Sequence, residues 1–238
     1  FKYSDDSSLA KLDEFMEAMS FYLIKASVEL AEEKGACPKS IETKYAQGIM
    51  PIDTRKTDID ELVPHQERCD WTWLREKAKR VGIRNSTLMA LMPAETSAQI
   101  ANATNGIEPP RSYISVKQSK HGVLKQVVPE FKKLKNKYEL LWDQSSPEGY
   151  IKICAALQKY IDQAISVNTS YNPQFYPDEK VPMSDMLRHT LMHYKYGGKT
   201  LYYFNTYDGQ GEINVAKFVE DAPAEELPSQ EACDSCTI

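Results

Sequence analysis

The 238-residue chain contains no apolar run near the roughly 18 to 20 residues that a membrane helix needs, so no membrane-crossing helix is expected. It has no Lys- or Arg-led apolar leader, so no secretory signal is expected either. It lacks an excess of base: 29 Lys and Arg stand against 34 Asp and Glu, a formal charge of −5. A protein that holds nucleic acid by displacing counterions needs the opposite balance, so no nucleic-acid partner is expected. Several motifs are also missing. No Gly-rich stretch leads into a Lys as in a Walker loop, and the helix with His189 and His193 has no Glu in the place that a zinc hydrolase requires. No second CxxC accompanies the one at Cys233 and Cys236, so a structural zinc site would be only half built. Cysteine is sparse and odd in number, five in all, which suits a reducing compartment better than a disulfide scaffold.

What is present supports a folded core. Hydrophobic residues make up 42% and aromatics 10%, which excludes wholesale disorder. The acidity is concentrated at one end. Residues 207–238 hold eight acids and one base, a charge of −7, which leaves +2 for residues 1–206. The expected division is therefore a nearly neutral body, 1–206, and a flexible acidic tail, 207–238.

Along the body, Leu9, Leu12, Met16, Met19, Leu23, Ala26 and Leu30 recur at threes and fours, predicting one amphipathic helix that Gly35 ends and Pro38 keeps from resuming. Residues 38–66 are mostly polar and read as a long excursion. Asp70 is placed to cap a second helix that closes at Gly82. The run TLMALM within 85–92 suits a strand buried on both faces, stopped by Pro93 and followed by a helix start. Residues 113–118 and 123–128 read as a hairpin. Helices are expected over 129–142, 147–166 and 184–196, and a last strand over 199–204. The fold class is α/β and helix-rich, with too few strands to close a sheet alone.

Five constellations could carry chemistry. At Pro93, Ala94, Glu95, Thr96 and Ser97 a strand meets a helix N-terminus, whose unpaired amides and partial positive charge suit a phosphate; an ordinary N-cap is the commoner explanation of such a pattern. Cys233 and Cys236 form a dithiol on a tail, able to shuttle between two reaction partners at high effective concentration. Tyr202 and Tyr203 could relay a radical, though among 14 tyrosines an adjacent pair also arises by chance. His189 and His193, one turn apart beside Arg188 and Lys195, read as a feature of the helix surface. The NATNGIEPP run, 102–110, carries a turn and a stiff exit but no chemistry by spacing alone.

The run RNSTLMALMPAETSAQIANATNGIEPPRSYISVKQ at 84–118 resembles the large catalytic subunit of class Ia ribonucleotide reductase. The likeness extends through YLIKASVELAEEKGACP, QGIMPIDT, IDQAISVNTSYNP, KVPM and KTLYYFNT, and the terminal dithiol fits it. It implies that the chain is the C-terminal part of a ten-stranded α/β barrel, a fragment or a split-gene product that completes a ribonucleoside-diphosphate reductase only together with the N-terminal portion. By this resemblance Pro93, Ala94, Glu95, Thr96 and Ser97 hold the substrate diphosphate. Tyr203, toward the subunit interface, and Tyr202, toward the active site, pass the radical. Cys233 and Cys236 re-reduce the active-site disulfide. Cys37, Cys69 and Cys154 match no family motif and are given no catalytic role. No cofactor is expected on this chain itself. The implied partners are the small subunit with its diiron-tyrosyl radical, thioredoxin or glutaredoxin, and ATP or dNTP effectors on the N-terminal portion, all in a cytoplasm (the host's, if the source is viral). Two alternatives from other classes are a non-catalytic nucleotide- or phosphate-binding module and a thiol-redox adaptor.

Overall fold

The computed structural model describes residues 2–119 and 122–209, and every element below lies within the compact unit Phe1–Asp208. Helix α1 spans Ser7–Lys34 and ends at Gly35, whose φ of +84° lies in the left-handed region. Its buried face is rotated from the one expected. Leu9 and Met16 are buried as the stripe requires, but beyond them the core takes Ile24, Val28 and Ala31 together with Asp13, Glu17, Ser20 and Ser27. Met19, Leu23, Ala26 and Leu30 face outward, alongside Phe15 and Tyr22. The cause is the set of buried polar partners described below, which draws Asp13 and Glu17 inward. The helix therefore presents a second apolar side that nothing in this unit covers.

Residues 38–66 form short 3-10 turns (Ser40–Glu42, Tyr45–Gln47, Pro51–Thr54 and Thr57–Glu61), and they are less polar in effect than in composition. Tyr45, Met50, Ile52, Ile59 and Val63 are all buried. Helix α2, Trp71–Val81, begins where expected: the Asp70 carboxylate accepts from the Trp73 amide at 2.9 Å. It packs on α1 through Trp71, whose ring meets Phe21 edge-on with centroids 5.3 Å apart.

The TLMALM run is extended, yet it makes a single parallel bridge, Leu91 to Ile165, and Met92 is exposed. Helix α3, Glu95–Ile100, follows. Strands β1, Ile114–Ser119, and β2, Gly122–Val127, pair antiparallel as the expected hairpin. The helix expected over 129–142 is instead a four-residue turn, α4 (Phe131–Leu134), and two 3-10 turns. Its entry residue Glu130 stands at a φ of +51°, and the lysines that follow bury nothing, so no apolar face carries a longer helix. Helix α5 covers Glu148–Gln158 and stops early. The chain turns at 159–165, where helix was expected, and then gives strand β3, Ser166–Tyr171, which was not expected from the sequence. Val167, Thr169 and Tyr171 alternate inward, a period of two that marks a strand. Helix α6, Met183–Lys195, and strand β4, Thr200–Thr206, agree with expectation to within a residue or two.

The protein is thus α/β and helix-rich. β3 and β4 run parallel, with the Leu91 segment on the other side of β3. β3 rests on α5, whose Ile151, Ile153, Cys154 and Leu157 join Ile24, Val28, Leu74 and Val167 in the core. β4 is different. Tyr202, Tyr203 and Phe204 are 58%, 56% and 44% exposed, so the sheet ends on an open edge with little cover on either side.

One further expectation is corrected. His189 and His193 are not on the helix surface; they are 0% and 4% exposed. His189 lies under Tyr171, whose hydroxyl is 3.2 Å from Nδ1, and Arg188 donates to its Nε2 at 3.1 Å. His193 Nε2 donates to the Thr200 carbonyl at 3.1 Å. Its ring fills the space over Gly198, where an added Cβ would come within 2.0 to 2.4 Å of ring atoms. His193 thus fixes the approach of β4 to the body, and His189 ties α6 to the end of β3.

Candidate active-site face

Four segments, three of which the sequence singled out, are joined mostly by side-chain to backbone hydrogen bonds. The first is the start of α3. The Ala98 amide closes the first helical bond, to the Ala94 carbonyl at 2.7 Å, so the amides of Glu95, Thr96 and Ser97 have no acceptor within the helix. No side chain caps this end, and Thr96 and Ser97 are exposed. Pro93 is exposed and Ala94 half-buried; the Ala94 amide donates to Asn105 Oδ1 at 2.7 Å. The segment is open, with amides and hydroxyls able to meet an anion.

The second is the loop 102–110. Gly106 takes a φ of +60° and passes close to the Met92 carbonyl, a turn that a side chain would strain. Tyr3 donates its hydroxyl to the Ile107 carbonyl, and the Leu141 amide donates to the Pro110 carbonyl at 2.9 Å. The loop is held on several sides, which its sequence spacing does not reveal.

The third is the tyrosine pair. In a regular strand adjacent residues point to opposite faces. β4 is not regular here: Val167 pairs with Leu201 and Thr169 with Phe204, so Tyr202 and Tyr203 both stand opposite Asn168. That is a bulge of one extra residue, and it lets the two rings approach to 4.3 Å between centroids at 60°. The hydrogen bond with Tyr202 and the nearby second phenol hold the Tyr203 phenol above its ordinary range.

The fourth is the turn between α5 and β3. Asp162 accepts from the amides of Leu88 at 2.7 Å and Met89 at 2.9 Å and from the Tyr45 hydroxyl at 2.9 Å. Lys199 Nζ donates to the carbonyls of Ile161, Asp162 and Gln163 at 3.2, 3.0 and 2.8 Å. Asp162 thereby fixes the strand that leads into 93–97, and Lys199 fixes the start of β4. Neither residue stood out in the sequence, because each acts on partners tens of residues away.

Cys233 and Cys236 lie outside the described residues. Cys154 is fully buried, and burial pushes its thiol up to about 12, so it is inert at neutral pH. Burial also raises Cys69. Among the described residues no group of three or more His, Cys, Asp or Glu could hold a metal ion, and no helix is long and apolar enough to cross a membrane.

Comparison with known proteins gives the family. A family model for the ribonucleotide reductase barrel domain matches residues 1–204. The alpha subunit of ribonucleoside-diphosphate reductase 1 from Salmonella typhimurium is 51% identical over 98% of this chain, and its Escherichia coli counterpart 50% over 98%. The alpha subunit from Enterobacteria phage T4 is 40% identical over 99%. The chain spans about 30% of the length of each of these relatives.

Proposed function

The chain belongs to the ribonucleotide reductase barrel-domain family, and on that premise we propose that it forms the C-terminal third of a ribonucleoside-diphosphate reductase large subunit. In this role it reduces ribonucleoside diphosphates to the deoxy forms only when joined by the N-terminal portion, which brings the radical-bearing centre and the effector sites for ATP and dNTPs. Residues 1–206 supply the last part of the catalytic barrel and 207–238 an acidic redox tail.

The observation that carries this proposal is the close, tilted tyrosine pair on an open strand. Two phenols at 4.3 Å between ring centroids, more than half exposed, sit poorly in a finished surface but well in a path between two protein parts. The small subunit, with its diiron-tyrosyl radical, supplies the oxidising equivalent. Within this chain one electron and one proton move together. A Tyr203 phenoxyl takes both from the Tyr202 phenol, Tyr203 regains its O–H bond, and Tyr202 becomes the phenoxyl that oxidises the active-site thiol.

The amides of Glu95, Thr96 and Ser97 and the hydroxyls of Thr96 and Ser97 hold the substrate diphosphate, with Pro93 and Ala94 shaping the approach. Cys233 and Cys236 then deliver two electrons and two protons to the active-site disulfide. They become a disulfide themselves, which thioredoxin or glutaredoxin reduces. The outward apolar side of α1 and the open edge of β4 support the need for the missing portion. The family setting and the odd cysteine count support a cytoplasmic location.

The test is Tyr202→Phe in the assembled reductase. Removing one hydroxyl should abolish turnover and leave nucleoside-diphosphate affinity unchanged. A variant that turns over at the parent rate would refute the radical role.

A further inference from the structure

We propose that Asn168 is a positioning residue for radical transfer: it holds the bulge that brings the rings of Tyr202 and Tyr203 together, and Glu108 holds Asn168. This rests on the radical role proposed above, and it adds a residue to which no role has so far been given.

The bulge removes the Tyr203 amide from the strand ladder, because two residues of β4 share one partner on β3. A backbone N–H left without an acceptor favours any rearrangement that pairs it, and the nearest is loss of the bulge. A one-residue slip would restore simple alternation and send one ring to the opposite face. Asn168, the residue facing the bulge, prevents this by accepting from the Tyr203 amide through Oδ1 at 3.1 Å. Its other end is equally committed: Nδ2 donates to Glu108 Oε1. A primary amide has one accepting and one donating end, and here a backbone N–H demands the first while a carboxylate demands the second. The orientation of the side chain is therefore fixed by chemistry at both ends.

Glu108 is itself anchored. It sits on the loop 102–110, pinned at Ile107 by Tyr3 and at Pro110 by Leu141. Three residues before it, Asn105 holds the Ala94 amide at the head of the substrate segment. One short loop thus touches the segment assigned to the diphosphate with Asn105 and reaches the strand assigned to the radical from Glu108 through Asn168 on β3. Displacing this loop would change the spacing between the two.

The experiment uses the assembled reductase with Asn168→Leu, Asn168→Asp and the double variant Asn168→Asp/Glu108→Gln. Leucine removes both hydrogen bonds at similar volume. The aspartate variant keeps an acceptor for Tyr203 but sets two carboxylates against each other. The double variant restores a donor-acceptor pair with the roles exchanged. Both single variants should lower kcat by about tenfold or more with KM for nucleoside diphosphate within about twofold, as for an interaction used only in the chemical step. The double variant should recover most of the lost kcat. Unchanged kcat in Asn168→Leu, a loss of nucleotide affinity equal to the loss in kcat, or a double variant no better than Asn168→Asp would each overturn the proposal. Tyr202→Phe measured alongside separates the two levels. If Tyr202→Phe halts turnover while Asn168→Leu does not, only the positioning role falls; if Tyr202→Phe turns over normally, the radical role itself falls.

Discussion

Lys159 and Asp13 meet at 2.6 Å with both side chains almost wholly buried, which ties the second turn of the first helix to the turn that launches β3. Asp13 also accepts from the Tyr160 hydroxyl at 2.8 Å and from Arg68 at 3.0 Å. Arg68 bonds Glu17 in turn at 2.7 Å, and Glu17 accepts from the amides of Arg68 and Cys69 and from the Trp71 indole. Although burial opposes it, this set of donors holds the Glu17 carboxyl below its ordinary range. Two carboxylates and two cations share the cluster, so the charge is balanced where water is excluded.

Lys159→Met tests the cluster. It leaves a buried carboxylate short of its closest cation, and breaking a buried pair from one side costs about 3 to 5 kcal/mol. The expected result is a lower urea midpoint, by that loss of unfolding free energy divided by the m-value. A loss under about 1 kcal/mol would mean that Arg68 and Tyr160 alone satisfy Asp13.

The two histidines predict an acid-sensitive fold. Burial, together with Arg188, lowers His189, and burial lowers His193. A base whose folded value is depressed binds fewer protons folded than unfolded, so stability is full above the unfolded value of about 6.5 and falls as pH drops below it toward the folded values. Melting temperature followed from pH 8 to pH 5 should decline below about 6.5, and His193→Gln should flatten the decline. An unchanged slope in that variant would place the sensitivity elsewhere.

At the substrate segment, Thr96→Val and Ser97→Ala each remove a hydroxyl proposed to meet the diphosphate. A hydrogen bond to a charged group contributes about 1.5 to 3 kcal/mol, so KM for nucleoside diphosphate should rise by roughly tenfold or more with a smaller change in kcat. Steady-state kinetics of the assembled reductase decide this, and an unaltered KM in both variants would remove the segment from the binding site.

For the tail, Cys233→Ser should abolish turnover driven by thioredoxin. It should leave turnover with a small dithiol that reaches the active-site disulfide directly. Equal loss with both reductants would point to a structural role for the thiol.

What depends on near neighbours could be read from the chain alone. Asp70 before an apolar run sets a helix start, Gly35 sets a stop, and two short strands around a turn set a hairpin, because each needs partners only a few residues away. The motif runs were also legible, and with them the family. Tertiary structure decided which side of α1 is buried, because Asp13 is drawn inward by Lys159, 146 residues further on. It decided that 166–171 is a strand, since those residues gain their ladder only from β4. It buried His189 and His193 beneath Tyr171 and Gly198. It also brought Tyr202 and Tyr203 to one place, through a bulge whose amide is taken up by Asn168, 35 residues away in sequence. Local pattern carries no trace of such partners, because the free energy that selects these conformations is gained only when distant segments meet.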